Sequence, residues 1–135
     1  MSVVLVDREP SGLATMLAGL IEQNLERDPS RRRLLHPVLV SITAPDAGVS
    51  VTLRIGPERV EVADGADPTA ELAIRADSSH LLALTAAPLR FGLPDPLRPS
   101  GREVLRDVAA RRVRIRGMLM HPRVLARVSS LLSVT

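Results

Sequence analysis

The chain of 135 residues has no cysteine, no tryptophan, no tyrosine and a single phenylalanine, Phe91. Without cysteine there is no disulfide framework and no thiol chemistry, so an intracellular, cytoplasmic protein is the expectation. Lysine is absent too, because all 18 basic residues are arginine. That removes Schiff-base chemistry and any lysine general base. The shortage of aromatics removes the stacking platforms used by single-strand nucleic-acid binders and the faces of a quaternary-ammonium cage. Nucleic acid is therefore not an expected partner. No apolar run approaches the roughly 20 residues of a membrane helix. Residues 1–6 are followed by Asp7 and Arg8; they lack the basic start, long apolar stretch and cleavage site of a secretory signal.

Motifs for chemistry are missing as well. His36, His80 and His121 lie in separate segments, with no ligand spacing between any two, so no metal site is expected. The carboxylate pairs Asp64 with Asp67 and Glu103 with Asp107 have local explanations in a turn and a helix cap. There is no Gly-x-Ser-x-Gly elbow, phosphate-cradling glycine loop or dinucleotide fingerprint. The expectation is a protein without catalytic residues and without a cofactor.

What is present is an ordinary globular composition, 45% hydrophobic and 24% charged, long enough for one domain over residues 1–135. The net charge of +3 is unevenly placed. Residues 1–90 hold nine Arg against twelve acids, whereas residues 91–135 hold nine Arg against three. Four segments alternate apolar and polar residues. Val49, Val51, Leu53 and Ile55 oppose Ser50, Thr52 and Arg54. Val60 and Val62 oppose Arg59 and Glu61; Leu72, Ile74 and Ala76 oppose Glu71, Ala73 and Arg75; Val113 and Ile115 oppose Arg112, Arg114 and Arg116. Successive side chains leave opposite faces of a pleat, so this period of two predicts half-buried strands with one apolar and one wet face.

Around these strands, residues 11–27 predict a helix with Leu13, Met16, Leu17, Leu20, Ile21 and Leu25 on one stripe, Ser11 as N-cap and Pro29 as the stop. Arg31, Arg32 and Arg33 read as a solvated connector. Residues 38–43, 49–55 and 59–62 form an antiparallel meander, and residues 70–76 a fourth strand. A helix carrying Leu81, Leu82 and Leu84 follows, capped from Asp77, Ser78 or Ser79 and ended by Pro88. Four prolines between residues 88 and 99 demand an extended loop. Ser100 to Glu103 spell a capping box for a short helix with Val104, Leu105 and Val108. A fifth strand over 112–117 and a last helix from Pro122, with Val124, Leu125, Val128, Leu131 and Leu132 on one side, complete the chain. The fold class is α+β, a two-layer sandwich with helices on one face of a mixed five-stranded sheet.

Several of these segments resemble the sterol carrier protein type 2 family. Residues 70–84, an alternating strand running through a polar cap into a Leu-rich helix, are similar to that family's fourth strand and following helix. Residues 113–117, ending at Gly117, resemble its late strand. The helix with Leu125, Val128, Leu131 and Leu132 resembles its closing helix. The likeness runs in order over residues 12–133. It implies an apolar tunnel between sheet and helices that binds a sterol, fatty acid or acyl chain. The corresponding lining would be Val51, Leu53, Ile74, Leu81, Leu84, Ile115, Leu125, Val128 and Leu132, with Met118 and Met120 as adaptable walls. The competing expectation is a ligand-free interaction or accessory module, whose exposed arginines meet an acidic protein or an anionic membrane surface.

Overall fold

The computed structural model describes residues 2–81, 89–90, 93–94, 97, 99, 102–103, 105–106, 110, 113–117 and 120–132. Helix α1 (Gly12–Arg27) starts where Ser11 caps it, with Ser11 Oγ accepting from the Ala14 N–H at 3.1 Å. The cap is itself fastened: the Ser11 N–H donates to Asp64 Oδ2 at 2.9 Å. Asp28 ends the helix, and a 3-10 turn over Pro29–Leu34 follows.

The strands are β1 (Ser2–Leu5), β2 (Val38–Ala44), β3 (Val49–Ile55), β4 (Arg59–Asp64), β5 (Leu72–Ala76), the two-residue β6 (Leu89–Arg90) and β7 (Leu93–Pro94), and β8 (Val113–Arg116). The main sheet has the order β1-β4-β3-β2-β5-β8. The expected meander is present: β2 pairs antiparallel with β3, and β3 with β4. Strand β5 returns parallel to β2, and β8 closes antiparallel on β5. The sheet has six strands where five were expected. The extra one is β1, a parallel edge on β4, and its Ser-Val-Val-Leu sequence is too short to show alternation. The proline-rich stretch is not wholly irregular either. Strands β6 and β7 pair as a small antiparallel ribbon, with Pro94 tolerated because the ribbon has only edges.

Register decides which residues meet. Val40 lies opposite Leu53 and Leu72, Ile42 opposite Val51 and Ile74, Leu53 opposite Val62, and Ile74 opposite Ile115. Directly paired residues share a face, so one face is continuously aliphatic. Val40, Val51, Leu53, Val60, Val62 and Leu72 have no exposed surface. Ala14, Leu17, Ile21 and Leu25 of α1 and Leu125, Val128, Leu131 and Leu132 of helix α2 (Pro122–Leu132) belong to the same cluster. The opposite face is polar. Ser41 and Thr52 hydroxyls lie 3.2 Å apart, those of Thr43 and Ser50 3.0 Å apart, and Glu61 pairs with Arg54 and Arg59.

Gly117 ends β8 at φ 89°, and a Cβ there would run into the Glu71 carbonyl oxygen. Gly19, inside α1, has nothing within 4 Å of the same position. Gly117→Ala is therefore expected to destabilise by at least about 1–3 kcal/mol, and Gly19→Ala to stabilise by about 0.4–1 kcal/mol. Urea unfolding midpoints that move the same way in both variants would contradict this reading.

Candidate functional site

The layer between sheet and helices is the candidate site, and its outer wall is α2. The position of that helix is set by polar groups at its C-terminal end, where carbonyls lack partners within the helix. Asn24, on the buried stripe of α1 and 2% exposed, donates from Nδ2 to the Leu131 carbonyl at 2.9 Å. Arg31 donates from Nη1 to the Ser130 carbonyl at 3.2 Å while pairing with Asp28 at 3.6 Å. Arg27 in turn donates to Asn24 Oδ1 at 3.2 Å. Arg31 is thus a structural clasp on α2, not a solvated connector as its sequence suggests. Asn24 stands where the helical repeat from Leu17 and Ile21 places a core residue, and an amide at such a position is the sequence signal for this clasp.

The expected lining residues largely converge. Val51, Leu53, Ile74, Leu81, Leu125, Val128 and Leu132 are buried in one cluster, and Ile115 packs against it half-buried. Met120 does not join them: it is 81% exposed and forms no wall of the layer. Leu84 and Met118 lie outside the described residues, as does the Ser100 cap. Leu105 is exposed.

At one end the layer reaches the surface in an apolar crevice of about 240 Å³, lined by Gly12, Leu13 and Met16 of α1, Ala47 of the β2–β3 turn, Val49 at the start of β3, and Ser78 and Leu81. Leu81 joins this crevice to the expected lining. Sequence reasoning did not single out Leu13, Met16 or Val49 as site residues, because nothing local brings the start of α1 to that turn. At 240 Å³ the crevice is smaller than the roughly 300–1,000 Å³ of ordinary ligand pockets.

The lip of the crevice carries a carboxylate. Asp46 Oδ1 accepts from the Ser78 N–H at 3.0 Å and from the Ser78 hydroxyl at 3.2 Å. These bonds, the backbone one first, outweigh burial and hold the Asp46 carboxyl below its ordinary 3.8. The first N–H of the helical turn at residues 78–81 is thereby met by a carboxylate from across the chain. Asp64 and Asp67 have structural duties as well, Asp64 at Ser11 and Asp67 on the Thr69 hydroxyl and N–H. His36 and His121 are exposed and His80 is half-buried. Among the described residues no three His, Asp or Glu side chains converge as metal ligands. None of the described helices is long and apolar enough to cross a membrane.

A mixed six-stranded sheet with helices on one face, and a layer between them that is mostly aliphatic among the described residues, make this an α+β domain. No protein-family model matches the chain, and no curated protein matches it. Among solved structures the chain is similar to a "UbiJ-SCP2 Ubiquinone synthesis protein", with a TM-score of 0.63 at 15% identity, over 89% of this chain and 92% of that one. The likeness shows the SCP2 fold that residues 70–84 and 113–132 suggest.

Replacing Asn24 by Ala strands the Leu131 carbonyl, at a cost of about 1–3 kcal/mol. The loss should appear in urea unfolding, with faster amide exchange in α2; an unchanged exchange pattern there would remove the clasp. Asp46 should titrate below 3.8. Its tie to Ser78 is then present above that pH and is lost as pH falls through the depressed pKa. A carboxyl 13C titration of Asp46 at or above 3.8 would contradict it.

Proposed function

We propose that this chain is a lipid-binding protein that holds a sterol, fatty acid or acyl chain in the layer between its sheet and helices, without covalent chemistry. The observation that carries this reading is the SCP2 fold itself, over 89% of the chain, with a core cluster that among the described residues is built of aliphatic side chains. Leu, Val and Ile present no polar partner to a ligand, so recognition rests on apolar area removed from water, at about 25 cal/mol per Å². With a single aromatic residue in the sequence, the walls are small and reshape by rotamer changes rather than by displacing rings.

The crevice beside Leu13, Met16, Val49 and Leu81 is the entrance in this reading. Its volume accepts one end of an acyl chain, and Val51, Leu53, Ile74, Leu84, Ile115, Leu125, Val128 and Leu132 receive the rest as α2 moves outward. The only hydrogen bonds described between α1 or its following turn and the last turn of α2 come from Asn24 and Arg31. An opening hinged at that clasp therefore leaves most of the core in place.

Native mass spectrometry of the purified protein, with organic extraction, tests the reading. A co-purifying fatty acid or sterol mass released on denaturation, or stoichiometric uptake of added fatty acid, is expected. An apo mass that takes up neither would overturn it. Met16 is 37% exposed, so Met16→Arg should fold normally. The charge it places in the crevice should weaken uptake by about tenfold or more; unchanged uptake would move the entrance elsewhere.

A further inference from the structure

The wet face of the sheet is not uniform. At the β3–β4 end its arginines have a carboxylate partner, with Arg54 and Arg59 sharing Glu61. The hydroxyl pairs of Ser41 with Thr52 and Thr43 with Ser50 fill the middle. At the β5–β8 end the register sets Arg75 directly opposite Arg114, with Arg116 opposite Ala73 one pair along. All three arginines are exposed. Arg116 reaches the Ala70 carbonyl at 3.4 Å, but among the described residues no carboxylate pairs with Arg75 or Arg114. Asp77, two residues beyond Arg75, makes no ion pair with it. Directly opposite residues have Cβ atoms about 4.5–5.5 Å apart, and like charges so placed are destabilising.

Protection of an edge strand explains a charge on β8. It does not explain a second guanidinium facing it from the inner strand β5. The row continues through Thr43, opposite Arg75, and Ser50, opposite Thr43, so two exposed guanidiniums and a hydrogen-bonded hydroxyl pair lie in one row across the strands. Guanidinium donors beside a hydroxyl pair suit phosphate oxygens.

We propose that this β5–β8 end of the polar face is a docking surface for an anionic phospholipid membrane, with lipid phosphates bridging Arg75 and Arg114. This deepens the lipid-binding reading and rests on it for its purpose, since the cargo would come from and return to a bilayer. Charge complementarity and shape favour a bilayer over other polyanions. The face near the pair offers Ala73, Thr43 and Ser50, with Ser41 buried beneath the Asp67 backbone, and it lacks the large apolar anchors of a protein interface and the aromatic faces that stack bases. A plane of phosphates requires neither. In the two-layer fold, docking by this face leaves the helices and the crevice on the opposite side of the sheet free to move.

The test is flotation of the delipidated protein with vesicles of phosphatidylcholine alone and of phosphatidylcholine mixed with phosphatidylglycerol. Binding to the mixed vesicles only is expected, and it should collapse as salt shortens the screening length from about 10 Å at 0.1 M to about 3 Å at 1 M. The double variant Arg75→Gln, Arg114→Gln should bind about twenty- to thirtyfold more weakly, at roughly fivefold per arginine. Its unfolding midpoint should be unchanged or higher, since a repulsion has been removed, and a merely structural pair would instead lose stability. Equal binding to both vesicle types, undiminished binding by the variant, or capture of an acidic protein or oligonucleotide in preference to vesicles would overturn the proposal. Uptake of fatty acid is measured separately. Vesicle binding without uptake leaves the docking surface standing and removes the cargo reading, whereas uptake without vesicle binding removes the docking surface alone.

Discussion

Burial of one aliphatic sheet face beneath two helices is the constraint from which the other features follow. The β2–β3 and β2–β5 registers bring Val40, Ile42, Val51, Leu53, Leu72 and Ile74 into a single surface. An apolar surface of that extent must be covered. Helix α1 covers it along β1, β3 and β4, and α2 packs against α1. The cover is fastened by polar groups at its margins: Asp64 on the Ser11 cap at one end of α1, and Asn24 and Arg31 on the last carbonyls of α2 at the other. Aliphatic packing supplies most of the stabilisation, and these directional bonds choose one arrangement of helices from several of similar burial.

The same alternation that creates the apolar face creates its opposite. Each residue that turns Val, Leu or Ile inward sends Ser, Thr or Arg outward. The proposed lipid store and the proposed docking surface therefore lie on the two sides of one sheet. In this account Asp46 and Ser78 guard the crevice on the helix side, while Arg75 and Arg114 mark the membrane side.

Much of this organisation was legible in the sequence. Ser11 at the N-cap, Pro122 at the first turn of α2, the meander and the strand ending at Gly117 are all local signals, and the structure places them as expected. Gly117 shows why such a signal works: its positive φ and its contact with the Glu71 carbonyl leave no room for a side chain. What was hidden depends on contacts distant in sequence. Strand β1 pairs with residues more than fifty positions away and is too short to carry a period. Which of Arg31, Arg32 and Arg33 clasps α2 depends on where residue 130 lies. The opposition of Arg75 and Arg114 is a matter of register between strands separated by a long connection. Met120 was assigned from its flexibility, and flexibility does not determine which way a residue faces; it points to solvent.

Methyl-resolved NMR of Ile, Leu, Val and Met groups during titration with a fatty acid tests the central claim most directly. The account predicts saturable shifts at Met16, Val49, Leu81, Leu125, Val128 and Leu132. Shifts confined to exposed groups such as Met120 and Leu97, or a core unmoved at saturating ligand, would contradict it.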